Sequence, residues 1–291
     1  MLAQADNPIS QDLQINENVS GTLVNPVGND SSPLVILIQG SGPTDRNGNQ
    51  PFMKNDSFKK LSAALAENGI ATFRYDKRIL NRKNKEADIR FDDFVEDASA
   101  ALSYFQNSGN FKRIIVLGHS QGSLVGMLAA KNSADAFISV AGAAQPIDSI
   151  ITQQIATQAP GLTENVQQTF REMRENGSSS NYEPVLEAVF RPSVQPFLLS
   201  WMKYDPMEEI AKLEIPVLII NGSNDLQVSE EEAVALQKAK PSAEMVILKD
   251  MNHIFRKIEG DALENNKSYN EPGLPLHPDL VPTLVEFIKQ L

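Results

Sequence analysis

Short apolar runs alternate with longer amphipathic stretches through most of this chain. The runs at 20–24, 34–39, 70–74, 113–118, 136–140, 216–221 and 244–248 have the length of strands. Several, such as Ile114-Ile115-Val116-Leu117, are apolar at every position, as a strand covered on both faces must be. Between them, residues 58–68, 91–105, 122–131, 230–238 and 280–290 place apolar side chains at helical spacing. Gly69 stands where a C-cap is needed, and Asp92, Asp93, Glu96 and Asp97 suit the positive end of the second helix. Strands alternating with helices predict an α/β fold, a mostly parallel sheet with helices on both faces.

The rhythm breaks between 144 and 205. That stretch is rich in Gln, Glu and Ser, has no buried strand, and carries helical spacing at 147–158 and 166–175. It predicts a core formed by 1–143 and 206–291, with 144–205 inserted as a helical cap. Met173, Tyr182, Phe190, Phe197, Leu198, Trp201 and Met202 are the insertion's large apolar residues. They suit an apolar substrate pocket and suit ordinary packing equally well. Trp201, Phe197 and Phe190 are the pocket candidates carried forward.

Composition narrows the chemistry. Apolar residues make up 41% and charged residues 22%, the balance of a packed globular chain. The formal net charge of -11 would repel the phosphates of a nucleic acid. With no cysteine there is no disulfide, thiol catalysis or thiolate metal site, and cytoplasm and periplasm suit the chain equally. No apolar run approaches the ~18 residues of a membrane helix. Ala3-Gln4-Ala5 has the small-x-small form of an export cleavage site but no apolar segment before it. Compartment, cytoplasmic or exported, therefore stays open, and so does oligomeric state.

Gly118-His119-Ser120-Gln121-Gly122 fits G-x-S-x-G, a pattern of moderate specificity alone. Its setting adds weight, because a buried aliphatic strand precedes it and an Ala/Gly-rich helix follows. A sharp turn there lifts the serine hydroxyl off the sheet end, and Gly118 and Gly122 let strand and helix pass where a Cβ would collide. The helix start also points unpaired N–H groups at developing negative charge. Ser120 is the predicted nucleophile.

A serine hydroxyl needs a base. Of the three histidines, His119 is adjacent and diverges from Ser120 in a sharp turn, while His277, in Pro275-Leu276-His277-Pro278, reads as a packing or capping residue. His253 follows the strand ending at Leu248 and so falls at the carboxyl edge of the sheet, where open α/β folds gather ligands. The acid that orients the imidazole is Asp225, reached from the strand Val217-Leu218-Ile219-Ile220 through Asn221-Gly222-Ser223-Asn224. Asp250 reads as a solvated loop charge and Asp205 as a helix cap. Two N–H donors complete the site: Gln121, directly after the nucleophile, and Ser41 in the loop Gly40-Ser41-Gly42-Pro43, with Gly42 the second choice. That loop lacks the Lys-Ser/Thr of a phosphate-binding loop.

The order Ser120, Asp225, His253 is that of α/β hydrolases. Together with Gln39-Gly40-Ser41-Gly42-Pro43-Thr44-Asp45-Arg46, Phe73-Arg74-Tyr75-Asp76-Lys77-Arg78 and Met251-Asn252-His253, the chain resembles that superfamily over nearly its whole length. Within it, the chain looks like the bacterial carboxylesterases and serine-aminopeptidase-like proteins. The resemblance implies an eight-stranded sheet with a helical cap after the sixth strand. Two-step acyl transfer by the three residues predicts a small-molecule ester substrate with a small or medium acyl chain and requires no metal or organic cofactor. Two departures stand out. Many relatives carry His-Gly at Gln39-Gly40, and many continue Arg-Gly-x-Gly where Ile79-Leu80-Asn81-Arg82 follows Arg78. Asp45 and Arg46 are expected to form a structural ion pair, with contact to substrate the alternative. Peptidase or thioesterase activity with the same three residues is the alternative within enzymes, and a non-catalytic binding protein on a hydrolase fold is the alternative outside them.

Overall fold

A computed structural model describes residues 8–28, 31–81, 83, 89–131 and 133–291. The tripeptide Ala3-Gln4-Ala5 and Arg82 lie outside the described residues. Eight strands form one sheet: β1 (Ile9–Gln14), β2 (Ser20–Asn25), β3 (Leu34–Ile38), β4 (Ala71–Tyr75), β5 (Ile114–His119), β6 (Ala136–Val140), β7 (Val217–Gly222) and β8 (Glu244–Leu248). Their order is β1-β2-β4-β3-β5-β6-β7-β8. From β4 to β8 every pairing is parallel, whereas β1–β2 and β2–β4 are antiparallel. β1 has no counterpart among the strands expected from apolar pattern. It is an edge strand exposed along most of its length, so its sequence Ile-Ser-Gln-Asp-Leu-Gln carries no buried alternation.

The alternation of side chains along each strand builds two cores. Leu34, Ile36 and Ile38 of β3 join one cluster, while Val35 and Leu37 join the other. The first face is covered by α2 (Phe91–Ser108) and α3 (Gln121–Ala130), through Phe91, Phe94, Phe105, Leu124 and Val125. The second is covered by α1 (Ser57–Glu67) and, at the end of the chain, a helix at Leu280–Gln290. Full burial of each large aliphatic or aromatic side chain contributes roughly 1.5–3 kcal/mol, which makes β3 and β5 a rigid base for the loops at their carboxyl ends.

Between β6 and β7 run α4 (Ile147–Gln158), α5 (Thr163–Asn176), α6 (Glu187–Phe190) and α7 (Gln195–Trp201). They enclose a third apolar cluster of Ile147, Val166, Phe170, Met173, Leu186, Phe190 and Leu198. The segment is tied to the core at both ends. Glu232 Oε2 accepts from the N–H of Ala144 at 2.6 Å, and the Ser200 hydroxyl accepts from the N–H of Phe91 at 2.7 Å. α8 (Pro206–Ala211) then leads back to the sheet, capped by Asp205, whose side chain accepts from Met207 and Glu208. α9 (Glu230–Ala239), α10 (Ala262–Ser268) and α11 (Leu280–Gln290) complete the described helices.

Candidate active site

Ser120 sits between β5 and α3 with φ 55 and ψ -123, a backbone conformation that non-glycine residues adopt only under constraint. The constraint is a tight crossing. A Cβ on Gly118 would lie 2.1 Å from the Gly122 carbonyl oxygen, and one on Gly122 would lie 2.4 Å from that of Ile38. Hydrogen bonds from Ser120 N to Val140 O (3.0 Å) and from Ser123 N to Ser120 O (2.9 Å) hold the turn on either side. Gln121 is the first residue of α3, so its N–H has no i−4 partner inside the helix.

At the next strand edge but one, Asp225 Oδ2 accepts from Nδ1 of His253 at 2.7 Å, with the two side chains 1% and 5% exposed. Oδ1 of the same carboxylate accepts from the N–H groups of Gln227 (2.8 Å) and Val228 (3.0 Å). Burial pushes the Asp225 carboxyl up. The charge and hydrogen bond of His253, with the two N–H groups, outweigh that and hold it below the ordinary carboxylate range. Because Nδ1–H is given to the carboxylate, Nε2 of a neutral His253 carries a lone pair. His253 and Ser120 line the same cavity, of about 210 Å³, together with Gly40, Ser41 and Gly42.

The loop carrying His253 is fixed by amide side chains. Asn252 Nδ2 donates to Asn265 Oδ1 (3.0 Å) and Ser268 Oγ (2.9 Å), and Asn265 Nδ2 donates to the carbonyl of Asn224 (2.7 Å). Gly222 lets the loop close, since a Cβ there would lie 2.0 Å from the Met251 carbonyl oxygen. His119 also belongs to this assembly, which its sequence position alone did not reveal. Its Nε2 lies 2.9 Å from the His253 carbonyl oxygen. His277 is buried against the Lys249 carbonyl (2.9 Å) and accepts from the N–H of Asp279, away from the cavity.

Ser41 lines the cavity shared by Ser120 and His253, and two larger ones beyond it. One, of about 370 Å³, runs past Ser120 and Gln121 to Gln145, Gln153, Glu232 and Trp201. The other, of about 360 Å³, is walled by Phe94, Ile79, Ile89, Val194, Phe197 and Trp201. The Ser41 carbonyl accepts from Gln50 Nε2 (2.8 Å) and the Thr44 hydroxyl (3.1 Å), which pins the loop. Trp201 lines both of these larger cavities and Phe197 the second. Phe190, the third candidate, lines neither. It is wholly buried against Phe170 and Tyr182 in the cap's own core, as are Met173 and Leu198 with their neighbours, because helical spacing marks a buried face without saying which cavity it borders.

Asp45 and Arg46 are structural, but they are not each other's partners. Asp45 caps a turn by accepting from Asn47 N and Asn49 N, whereas Arg46 forks onto Asp76 (2.9 and 2.6 Å) and reaches Asp12 (3.1 Å). Behind the loop Gly40-Ser41-Gly42-Pro43, Gln39 Nε2 donates to the Tyr75 carbonyl. Among the described residues no cluster of three or more His, Asp or Glu side chains could hold a metal ion, and no helix is long and apolar enough to cross a membrane.

This sheet, its crossing at Ser120 and its loops at the strand ends are those of an α/β hydrolase. The chain belongs to the family described as serine aminopeptidase, S33, whose model matches residues 54–256, a stretch that includes Ser120, Asp225 and His253. Esterase EstD of Thermotoga maritima is 27% identical over 279 residues, covering 90% of this chain. The chain spans only 63% of that protein's length. Est1E from Butyrivibrio proteoclasticus superposes with a TM-score of 0.57 at 18% identity, covering 98% of this chain and 97% of that one. The α/β hydrolase GrgF from Penicillium sp. sh18 does so with a TM-score of 0.60 at 15% identity, covering 98% and 99%. These two likenesses concern the fold.

Proposed function

We propose that this protein is a serine hydrolase that cleaves carboxylic esters of small or medium acyl chains through an acyl-enzyme. The observation that carries the reading is the 2.7 Å bond from His253 to a buried Asp225, with His253 and the strained Ser120 facing one cavity. Nε2 of His253 takes the proton of Ser120 as its oxygen attacks the ester carbonyl. The N–H groups of Gln121 and Ser41 hold the oxyanion, with Gly42 the other loop donor within reach. The alcohol leaves with the proton from His253, and a water activated the same way releases the acid. Residues 144–205 act as the cap, and the cavity between Phe94, Phe197 and Trp201 receives the acyl chain.

Ester rather than aminopeptide is favoured by one feature of the cavities. A free α-ammonium group calls for a carboxylate. Among the described residues the three cavities next to Ser120 are lined by one, Glu232. Its oxygens already accept from the N–H groups of Ala144 and Gln145 and from Gln145 Nε2 (2.6 Å). The name of the Thermotoga relative points the same way.

The test is a panel of p-nitrophenyl esters, acyl-CoA thioesters and aminoacyl amides, with Ser120→Ala alongside. Turnover should be fastest on the acetate-to-hexanoate esters and fall by several orders of magnitude in Ser120→Ala. Faster cleavage of the amides would replace the esterase reading with a peptidase one. Activity retained in Ser120→Ala would remove Ser120 from the reaction.

A further inference from the structure

We infer that Lys77 is a positioning residue of the oxyanion hole, one side chain that anchors both donor segments through the Gly40 carbonyl and the Gln121 amide. The inference rests on the serine-hydrolase reading of Ser120. Lys77 follows β4 and is buried. Its Nζ donates to the Gly40 carbonyl at 2.8 Å and to Gln121 Oε1 at 2.8 Å. Those are the residue before Ser41 and the residue after Ser120.

The first contact acts on the donor itself. The Gly40 carbonyl and the Ser41 N–H belong to one peptide group, and in a trans peptide the two point in opposite directions. A carbonyl gripped by Lys77 therefore turns the Ser41 N–H away from the lysine, toward the side where Ser41 and Ser120 share cavities. An amide whose oxygen accepts from a cation is also polarised into a stronger donor. The second contact holds the side chain of Gln121 to the same point, so the loop after β3 and the start of α3 keep a fixed separation.

The charge is not spent elsewhere. No carboxylate pairs with Lys77 among the described residues. Asp97, which lines a small void beside it, is forked by Arg78 at 2.8 and 2.7 Å. The Phe94 ring lies beside it, with its centroid 4.3 Å from Nζ, and Lys77 also lines the 360 Å³ cavity with Ser41 and Gln121. Burial alone pushes the lysine down to about 7, so the ammonium prevails below that pH and the neutral amine, which still donates, above it. A methionine would fill the same space without that desolvation cost, so packing does not account for an ammonium here. A cation bonded to the Gly40 carbonyl and the Gln121 side chain does account for it, because the oxyanion develops its charge beside the loop and helix start that this cation joins.

The test is Lys77→Met, which keeps the stem and removes charge and donors. Three quantities are read: the rate at which a fluorophosphonate labels Ser120, steady-state turnover of p-nitrophenyl butyrate, and inhibition by butylboronic acid, which forms a tetrahedral adduct. Labelling and kcat should fall roughly 10–100-fold and the boronate weaken in step, with KM moving less than about threefold and no loss of thermal stability. Labelling and kcat within about twofold of the parent, or a loss confined to KM, would overturn the inference. If Lys77→Met does not fold, Gln121→Ala decides, because it removes one anchor and keeps the backbone donor. It should lower kcat by roughly 3–10-fold at constant KM, and unchanged kcat would overturn the anchoring role. A parent enzyme that the fluorophosphonate does not label defeats the serine-hydrolase reading instead, which is a separate result.

Discussion

His119 donates from Nε2–H to the backbone carbonyl of His253 at 2.9 Å, so the residue before the proposed nucleophile braces the residue proposed as its base. A carbonyl only accepts, which places the proton on Nε2. Burial, followed by the nearby His253 charge, pushes His119 down to about 3, so it is neutral at pH 7. The His253 ring, centroid to centroid at 4.7 Å, and Phe255 at 4.8 Å hold it in place.

His119→Phe keeps the ring and removes the bond. The His253 carbonyl is then left without its donor, at a cost of about 1–3 kcal/mol. We expect kcat to fall by roughly tenfold with little change in KM, since a misplaced base affects the transition state more than binding. Urea unfolding and ester kinetics check both, and a variant with parental values of each would show that the contact is incidental.

The crossing at Ser120 gives a sharper stability prediction. Gly118→Ala and Gly122→Ala place a Cβ 2.1 and 2.4 Å from backbone oxygens, which no rotamer relieves. Each should cost more than about 3 kcal/mol or abolish folding, by forced overpacking against main chain. Gly177→Ala is the control. It has φ +79 with open space around it, so it should cost only about 1 kcal/mol, for conformation alone. Thermal melts rank the three, and equal losses would mean that the crossing accommodates a Cβ.

That Ser120, Asp225 and His253 lie at one edge of the sheet was legible, because each follows an apolar run long enough to be a buried strand and the carboxyl ends of such strands share that edge. Lys77 and His119 were not legible as parts of the site. Their partners lie 37, 44 and 134 positions away, and no local pattern encodes a pairing over such separations. Arg46 shows the same limit, since its neighbour Asp45 was the obvious partner and Asp76 the actual one. Phe190 failed for another reason. Apolar spacing records that a side chain is buried and carries nothing about whether the burying neighbour is the cap or a substrate. β1 was missed because an exposed edge strand has no buried face to record.

Asp225 sets a pH prediction. Its folded carboxyl lies below the ordinary value, so between the unfolded value of about 3.9 and the lower folded one the unfolded chain binds more protons. The contribution to stability is therefore present above about pH 4 and lost as pH falls through the folded value. Asp225→Asn lacks this contribution. Its melting temperature should lie below the parent's at pH 7, and the gap should narrow as pH drops below about 4. A gap that stays constant down to acid denaturation would mean that the carboxylate charge does not stabilise the fold. The same variant should lose roughly 10⁴-fold in kcat, because an amide at this position favours the wrong His253 tautomer.

Trp201 stands between the two larger cavities and stacks on Phe91 with centroids 5.3 Å apart and planes within 9°. Phe197 walls one of those cavities, whereas Phe190 lies inside the cap's core. Shortening each side chain should then separate specificity from stability. Phe197→Ala should move the preferred acyl chain to longer esters, with a modest loss of stability. Trp201→Leu should do the same and blur the division between the cavities. Phe190→Ala should cost about 3–5 kcal/mol of stability and leave the chain-length profile where it was. The decisive measurement is the profile of kcat/KM from acetate to decanoate esters for all three. A shift in Phe190→Ala as large as that in Phe197→Ala would show that the cap deforms as one body and that its inner core sets acyl length after all.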